Sequence, residues 1–300
     1  PPRSTLFPYT TLFRSPYSLL PGVRVIVTIH NVNNYFFPRS ITNFRQLVRA
    51  SGKKSLVAAV KEFNVVSVTI VPYLQSLLPA HKKVHCVPGA VYEGVYHEVA
   101  PPTELKTIRL VVPGTVDVRR RDYEVVFELL EHCNRLSLPV SITLLGGHYG
   151  DAGKQILEKC RQYKQQKDNL IFYETDIVDQ PEFDRVMNES HFVFIPTQVE
   201  TVLSDGIPET YGKSSSSGNL FDIIKHAKPF ISPTALALPE DLQAAALRYE
   251  DMATITAFLQ MITQDATRYK ELAKKAILSS ENYTIVQLRE KNPTLFEDAV

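Results

Sequence analysis

The chain has 300 residues with 44% hydrophobic and 22% charged content, an ordinary globular composition whose length suits two domains better than one. Its 33 basic and 32 acidic residues leave a formal net charge of +1, which excludes a chain-wide field that would draw the protein onto nucleic acid or an anionic membrane. Cys86, Cys133 and Cys160 have no paired spacing, which excludes a disulfide framework or a cysteine zinc site and points to a reducing cytoplasm. No apolar run reaches the roughly 20 residues that span a bilayer, while a peripheral membrane contact stays compatible with the sequence.

Residues 1–15, PPRSTLFPYTTLFRS, repeat Thr-Leu-Phe with no period that a core could use. They resemble translated adapter sequence at the end of an assembled read, so they are set aside as a non-native leader and the native beginning is expected to be missing. From Val23, VRVIVTIH is a β-branched run suited to a buried parallel strand, ending in the polar loop that starts at His30. An amphipathic stretch follows over Ile41–Phe63, then the apolar run Val65–Val71, a brief helix near Tyr73–Leu78 and the strand Lys83–Val87. Strands alternating with helices imply parallel βαβ units. About three such strands fit before Ala100, fewer than a free-standing doubly wound domain has, so residues 16–100 read as a partial N-terminal domain. The Pro-containing stretch Glu98–Lys106 is the expected linker.

The second half reads as a complete series. Strand Ile108–Gly114 leads to helix Asp122–Leu136, and strand Val140–Gly147 leads to helix Gly153–Lys167. Strand Asn169–Glu174, helix Glu182–Asn188, strand His191–Pro196, helix Gly218–His226 and strand Lys228–Pro233 complete five β/α steps. A doubly wound parallel sheet is expected over residues 107–265. The chain is helical by spacing from Asp251 onward, and residues 266–300 are expected to pack back on both domains.

In an open parallel sheet, ligands lie beyond the carboxyl ends of the strands. After the first strand of the second series come Gly114 and Thr115, then Arg119, Arg120 and Arg121. A glycine admits close backbone approach, and arginines offer planar donor forks to phosphate. The alternative is a solvated basic helix start, where three cations oppose the helix dipole. The loop Glu209–Gly218 is richer still: Tyr211, Gly212, Lys213, a run of serines ending at Ser217, and Gly218 opening a helix. Backbone amides at that start, hydroxyls and one lysine make a diphosphate cradle. The alternative is a flexible serine-rich loop with Ser217 as N-cap. A P-loop is rejected, because the position that requires glycine is Ile207 and Gly206 is one place off. Gly146-Gly147-His148-Tyr149-Gly150 likewise misses the dinucleotide spacing.

Taken in order, Gly-Thr after the first strand, Arg-Arg-Asp-Tyr soon after, a Gly-Gly turn after the second, and Glu-x-Tyr-Gly-Lys before a Gly-started helix ending in Lys-Pro resemble the donor domain of GT-B glycosyltransferases, of the family 4 and family 1 kind. The match covers about residues 107–265, and VTIHNVNN with the Val-Pro-Gly stretch near Val87 resembles the end of the acceptor domain. The resemblance implies an α/β, GT-B-like fold of two doubly wound Rossmann-like domains with parallel sheets, the first incomplete. It implies an enzyme, a hexosyltransferase-like glycosyltransferase that moves a sugar from a nucleotide-diphosphate sugar to a glycan, lipid-linked or small hydroxyl acceptor in glycan or polysaccharide biosynthesis, with no cofactor or metal. Gly114 and Thr115 would face the phosphates, Lys213 and one of Arg119, Arg120 and Arg121 would neutralise the leaving diphosphate, Asp176 and the loop after Glu174 would face the base, and Gly146 would belong to the donor site. Tyr211, Gly212, Ser217 and Gly218 would shape the donor loop, and Glu209 would meet the sugar. His30 would be the acceptor-side base, against the reading of an imidazole closing a strand-end loop. In the best-known retaining families a second glutamate follows Glu209, and here that position is Ser217, which removes the expected ribose contact. The other readings are a nucleotide-sugar epimerase and a non-catalytic nucleotide-sugar-binding protein.

Overall fold

The structure, a computed structural model, describes residues 24–37, 44–94, 105–202 and 206–296. The leader at residues 1–15 and all but the last two residues of the expected linker lie outside them. The described chain divides into two compact units, the first comprising residues up to 87 with 202–216 and the second residues 88–201 with 217 onward. The segment 202–216, which sequence order sets inside 107–265, thus packs with the first unit.

In the first unit, β1 (Ile26–Ile29), β2 (Glu62–Val65) and β3 (Lys83–Cys86) form a parallel sheet in the order β1-β2-β3. Helices α1 (Val32–Phe36), α2 (Phe44–Ala59) and α3 (Val71–Leu77) connect them. Ile29, Val32, Phe63, Val65, Ile70 and Leu74 build one buried cluster. The expected strand over Val65–Val71 is corrected. The strand lies earlier at β2, where Phe63 and Val65 are buried, and Val68–Ile70 is a 3-10 turn into α3. The reason is Pro72, whose fixed φ suits the first turn of a helix and whose missing N–H does not suit a central strand. Lys82 holds the end of α2, its Nζ donating to the carbonyls of Val57 at 2.6 Å, Ala58 at 3.0 Å and Val60 at 2.6 Å, where a cation complements the helix dipole.

The second unit is a six-stranded parallel sheet built from β4 (Ile108–Pro113), β5 (Val140–Leu145), β6 (Leu170–Phe172), β7 (Phe192–Phe194), β10 (Phe230–Pro233) and β11 (Ala246–Tyr249); the short strand β8 (Glu200–Val202) lies where the chain leaves this unit, and β9 (Pro208–Thr210) belongs to the first unit. Its order is β11-β10-β7-β4-β5-β6, so the two halves wind outward from β4 and β7, the Rossmann order with its switch point between those strands. Strand β11 extends the expected series by one. It lacks an apolar run, and Arg248 within it donates to the carbonyls of Pro233, Thr234 and Leu236.

The connecting helices are α4 (Tyr123–Arg135), α5 (Gly150–Lys164), α6 (Gln180–Glu189), α7 (Asn219–His226) and α8 (Glu240–Gln243). Asp122 caps α4 by accepting from the Glu124 amide, and Asp179 caps α6 through the Glu182 amide, each worth about 1 kcal/mol. Helices α9 (Met252–Gln264) and α10 (Thr267–Glu281) cover the central strands, followed by α11 (Ile285–Lys291) and α12 (Pro293–Phe296). Phe192 of β7 meets Phe258 of α9 edge-on at 5.6 Å and Tyr269 of α10 at 5.3 Å, and His191 meets Tyr269 at 5.3 Å. Such ring pairs add about 0.5 to 1.5 kcal/mol each beyond the burial of area.

Candidate functional site

The switch point concentrates the second unit's close contacts. Gly114, just past β4, has φ 93°, a conformation that side chains resist. A Cβ there would lie 2.7 Å from Arg121 Nη2, so the absence of a side chain also lets the guanidinium in. Arg121 is only 8% exposed, and it spans the loop from beneath: Nη1 donates to the Thr115 carbonyl at 2.7 Å and Nη2 to the Pro113 carbonyl and to Asn219 Oδ1 at 3.4 Å. Asn219, the first residue of α7, returns Nδ2 to the Pro113 carbonyl at 2.8 Å. Strand end, glycine loop and helix start are therefore one hydrogen-bonded knot, and Arg121 Nε is buried within it without a partner.

The neighbouring β5 loop fits against this knot backbone to backbone. A Cβ on Gly146 would fall 2.5 Å from the Gly114 carbonyl, and one on Gly147 would fall 1.8 Å from the Asp176 carbonyl oxygen. Gly147→Ala is expected to cost about 3 kcal/mol, at the upper end for overpacking. Urea denaturation reads this directly, and a wild-type midpoint would refute the tight approach.

The sequence groups Arg119, Arg120 and Arg121 as one basic run, and the fold separates them. Arg121 is a buried anchor. Arg119 pairs with Asp117 through Nε at 2.9 Å and Nη2 at 2.7 Å and lies over the Tyr149 ring at 4.8 Å. Burial works to raise the Asp117 carboxyl, and the side chain and amide of Arg119 outweigh it, leaving it below the usual range. Arg120 Nε stands 3.5 Å from Asp117, with a side chain more than half exposed. Asp176 is an exposed carboxylate 3.7 Å from His148 Nε2. Gly218 is the N-cap of α7, without a side-chain cap bond, so the alternative reading of Ser217 as N-cap does not hold; Ser217 Oγ instead lies 3.4 Å from Asn219 Oδ1.

Sequence reading missed Asp222. It lies in the first turn of α7, partly buried, and burial pushes its carboxyl up to about 7 against the opposing influence of Arg121. The detectable signal was an acid at a helix start beside a strand's carboxyl edge, where a dipole normally holds carboxylates ionised.

In the first unit, Glu209 is 1% exposed and serves α1. Its Oε1 accepts the Asn34 amide at 2.8 Å and Oε2 the Asn33 amide at 3.3 Å, while the Ser214 carbonyl accepts the Val32 amide at 2.8 Å. The first-turn donors of α1 are thus met from a segment distant in sequence. Asn33 Nδ2 donates to the Pro208 carbonyl at 2.8 Å, and Ser215 Oγ to Asn31 Oδ1 at 2.8 Å. Burial raises the Glu209 carboxyl, opposed by Ser214 and the two amides. The loop turns at Gly212, φ 82°, with the Thr210 carbonyl accepting the amides of Lys213, Ser214 and Ser215. Tyr211 is buried, and Lys213 is exposed with Nζ 5.3 Å from the Tyr73 ring centroid. His30 is exposed just past β1. Among the described residues no cluster of histidine, cysteine or carboxylate side chains could hold a metal ion, and no helix is long and apolar enough to cross a membrane.

The doubly wound second unit, with its glycine-rich loop at the switch point, gives the chain the fold of the GT-B glycosyltransferases, α/β with parallel sheets. Similar solved structures are TarM (TM-score 0.61, 12% identity, 93% of this chain and 51% of that one), sucrose-phosphate synthase from Thermosynechococcus elongatus (0.63, 14%, 91% and 67%), and Anabaena HepE in complex with UDP and glucose (0.62, 9%, 96% and 75%). The chain thus spans about half the length of TarM. No family model and no curated protein matches the sequence.

Proposed function

We propose that the chain is a glycosyltransferase that binds a nucleotide-diphosphate sugar at the carboxyl edge of the second unit's sheet and transfers the sugar to a hydroxyl acceptor. The observation that carries this reading is the knot of Gly114, Thr115, Arg121 and Asn219 at the switch point, which presents a close-approach backbone loop beside the start of α7. The first-turn amides of α7 and the exposed Arg120 supply positive potential for a diphosphate. In the transfer, the acceptor oxygen bonds to the anomeric carbon as the bond from that carbon to the diphosphate oxygen breaks. The acceptor proton leaves to a base, and prearranged donors stabilise the charge growing on the diphosphate. The fold shared with HepE, whose structure contains UDP and glucose, supports this donor class. Asp222 is assigned the ribose contact that Ser217 cannot supply, since it is the carboxylate at the same helix start.

The test is calorimetry with UDP and GDP, followed by incubation with UDP- and GDP-sugars and a hydroxyl acceptor. Nucleotide binding with neither hydrolysis nor transfer would identify a binding protein instead. A pH series tests Asp222. Its carboxyl is raised in the folded chain, so the ionised form is disfavoured below about 7. Ribose hydroxyls donating to the ionised form would release a proton on binding, so affinity should rise as pH increases through about 7, by up to roughly tenfold per unit. Asp222→Asn should flatten that profile. An unchanged slope would remove Asp222 from the site.

A further inference from the structure

Between α4 and α5 the second unit has a surface groove of about 500 Å³ that the proposed transfer does not use. Helix α4 lines it with Glu124, Phe127, Glu128 and Glu131, whose spacing puts them on one face, and α5 lines it with Lys159 and Tyr163, one turn apart. One cation is already seated there: Lys159 Nζ lies 4.5 Å from the Phe127 ring centroid and donates to Glu124 Oε2. Further along the groove stands a second pairing of ring and carboxylate. The Tyr163 ring is held firmly, its hydroxyl accepting from Asn134 Nδ2 at 2.6 Å and donating to Asn169 Oδ1 at 3.2 Å. Burial raises its phenol, and the charge of the nearby Glu131 adds to the rise. Glu131 is exposed, and Glu128, 55% exposed at its side chain, faces His132 Nε2 at 3.9 Å. Among the described residues no lysine or arginine pairs with Glu128 or Glu131.

We propose that this groove docks an arginine-presenting segment of a protein partner, the guanidinium stacking on the Tyr163 ring and donating to Glu128 and Glu131. Charge complementarity selects a cation, since three glutamates against one lysine make the groove acidic in a chain of net charge +1. Arginine suits it better than lysine, because a planar fork can stack on a ring and still reach two carboxylates, whose Cβ atoms stand about 5 to 6 Å apart at this helical spacing. Length selects a polypeptide over a free small cation: from Glu124 to Glu131 the helix rises by about 10 Å, enough to seat the residues that flank the arginine. Docking requires no nucleotide, so it stands or falls apart from the proposed transfer activity.

The experiment is fluorescence anisotropy of labelled hexa-arginine with the full chain, using unlabelled hexa-lysine and spermidine as competitors. Expected is saturable binding that hexa-lysine displaces less well than unlabelled hexa-arginine does, and spermidine least well. Glu128→Gln with Glu131→Gln, both at exposed positions and checked by an unchanged far-ultraviolet spectrum, should weaken binding by about tenfold. Glu250→Gln with Glu281→Gln removes the same charge at exposed positions outside the groove and should leave binding as it is. Tyr163→Phe and Tyr163→Leu both lose the hydroxyl, and only the second, which also loses the ring, should weaken binding, by about threefold. Absence of hexa-arginine binding, equal displacement by hexa-lysine, full retention by the Glu128 and Glu131 double variant, or an equal loss in the charge-matched control would overturn the proposal. So would a dimer in sedimentation velocity that the double variant dissolves while hexa-arginine leaves it intact, which would assign the groove to a second copy. Displacement by spermidine as effective as by hexa-arginine would assign it to a small polyamine instead.

Discussion

Arg121→Met should lower the stability of the second unit by about 1 to 3 kcal/mol and weaken nucleotide binding by tenfold or more. Methionine fills the volume of the arginine stem, so the loss comes from acceptors. The Thr115 carbonyl loses its guanidinium partner and the Pro113 carbonyl keeps only Asn219. A buried acceptor left unmet costs about 1 to 3 kcal/mol. The loop freed at Gly114 also loses the geometry that admits a ligand. Arg121→Lys should recover only part, because a single ammonium cannot reproduce the fork across two carbonyls and an amide. Denaturant midpoints and calorimetry measure the two effects together. A variant with wild-type stability would show that the guanidinium does not hold the knot.

Glu209→Ala should cost the first unit about 1 to 3 kcal/mol, since two part-buried amides of α1 lose their charged acceptor. Glu209→Gln keeps one amide oxygen and should fall between. The resemblance assigns this residue to the sugar, and its two amide bonds give it a second employment as a remote cap. Limited proteolysis within residues 24–87 separates the roles. A scaffold residue loosens α1 and leaves nucleotide affinity in place, while a sugar contact lowers transfer in a variant whose α1 stays protected. If Glu209→Ala neither loosens α1 nor alters the melt, the capping account is wrong.

These two residues also mark how far the sequence could be read. The second unit's strands were legible because β4, β5, β7 and β10 are short apolar runs ended by Gly or Pro, and a parallel strand buried on both faces has no other way to look. Strand β2 was displaced because Val65–Val71 is the stronger apolar run, and only Pro72 reveals that its end belongs to a helix. Gly114 was legible as a point of close approach, whereas the fit of Gly146 against it was not. Arg121 was not legible as an anchor, because three consecutive arginines look alike until the backbone turns one inward. Glu209 carried no local signal of its partners: Asn33 and Asn34 are 176 and 175 positions away. Asp222 was hidden by its normality, an acid in a helix's first turn.

The covering of β7 by α9 and α10 has a consequence for how the chain is made. Phe192 lies in the middle of the sheet, yet Phe258 and Tyr269, the rings that close over it, emerge from the ribosome only after every strand of that sheet has been synthesised. Nascent chains halted before Met252 would carry a finished sheet with its central apolar face open to water, the state in which partly made proteins aggregate or recruit chaperones. The last helices are thus the step that commits the second unit to its fold, and the interval before they arrive is when the chain is most exposed.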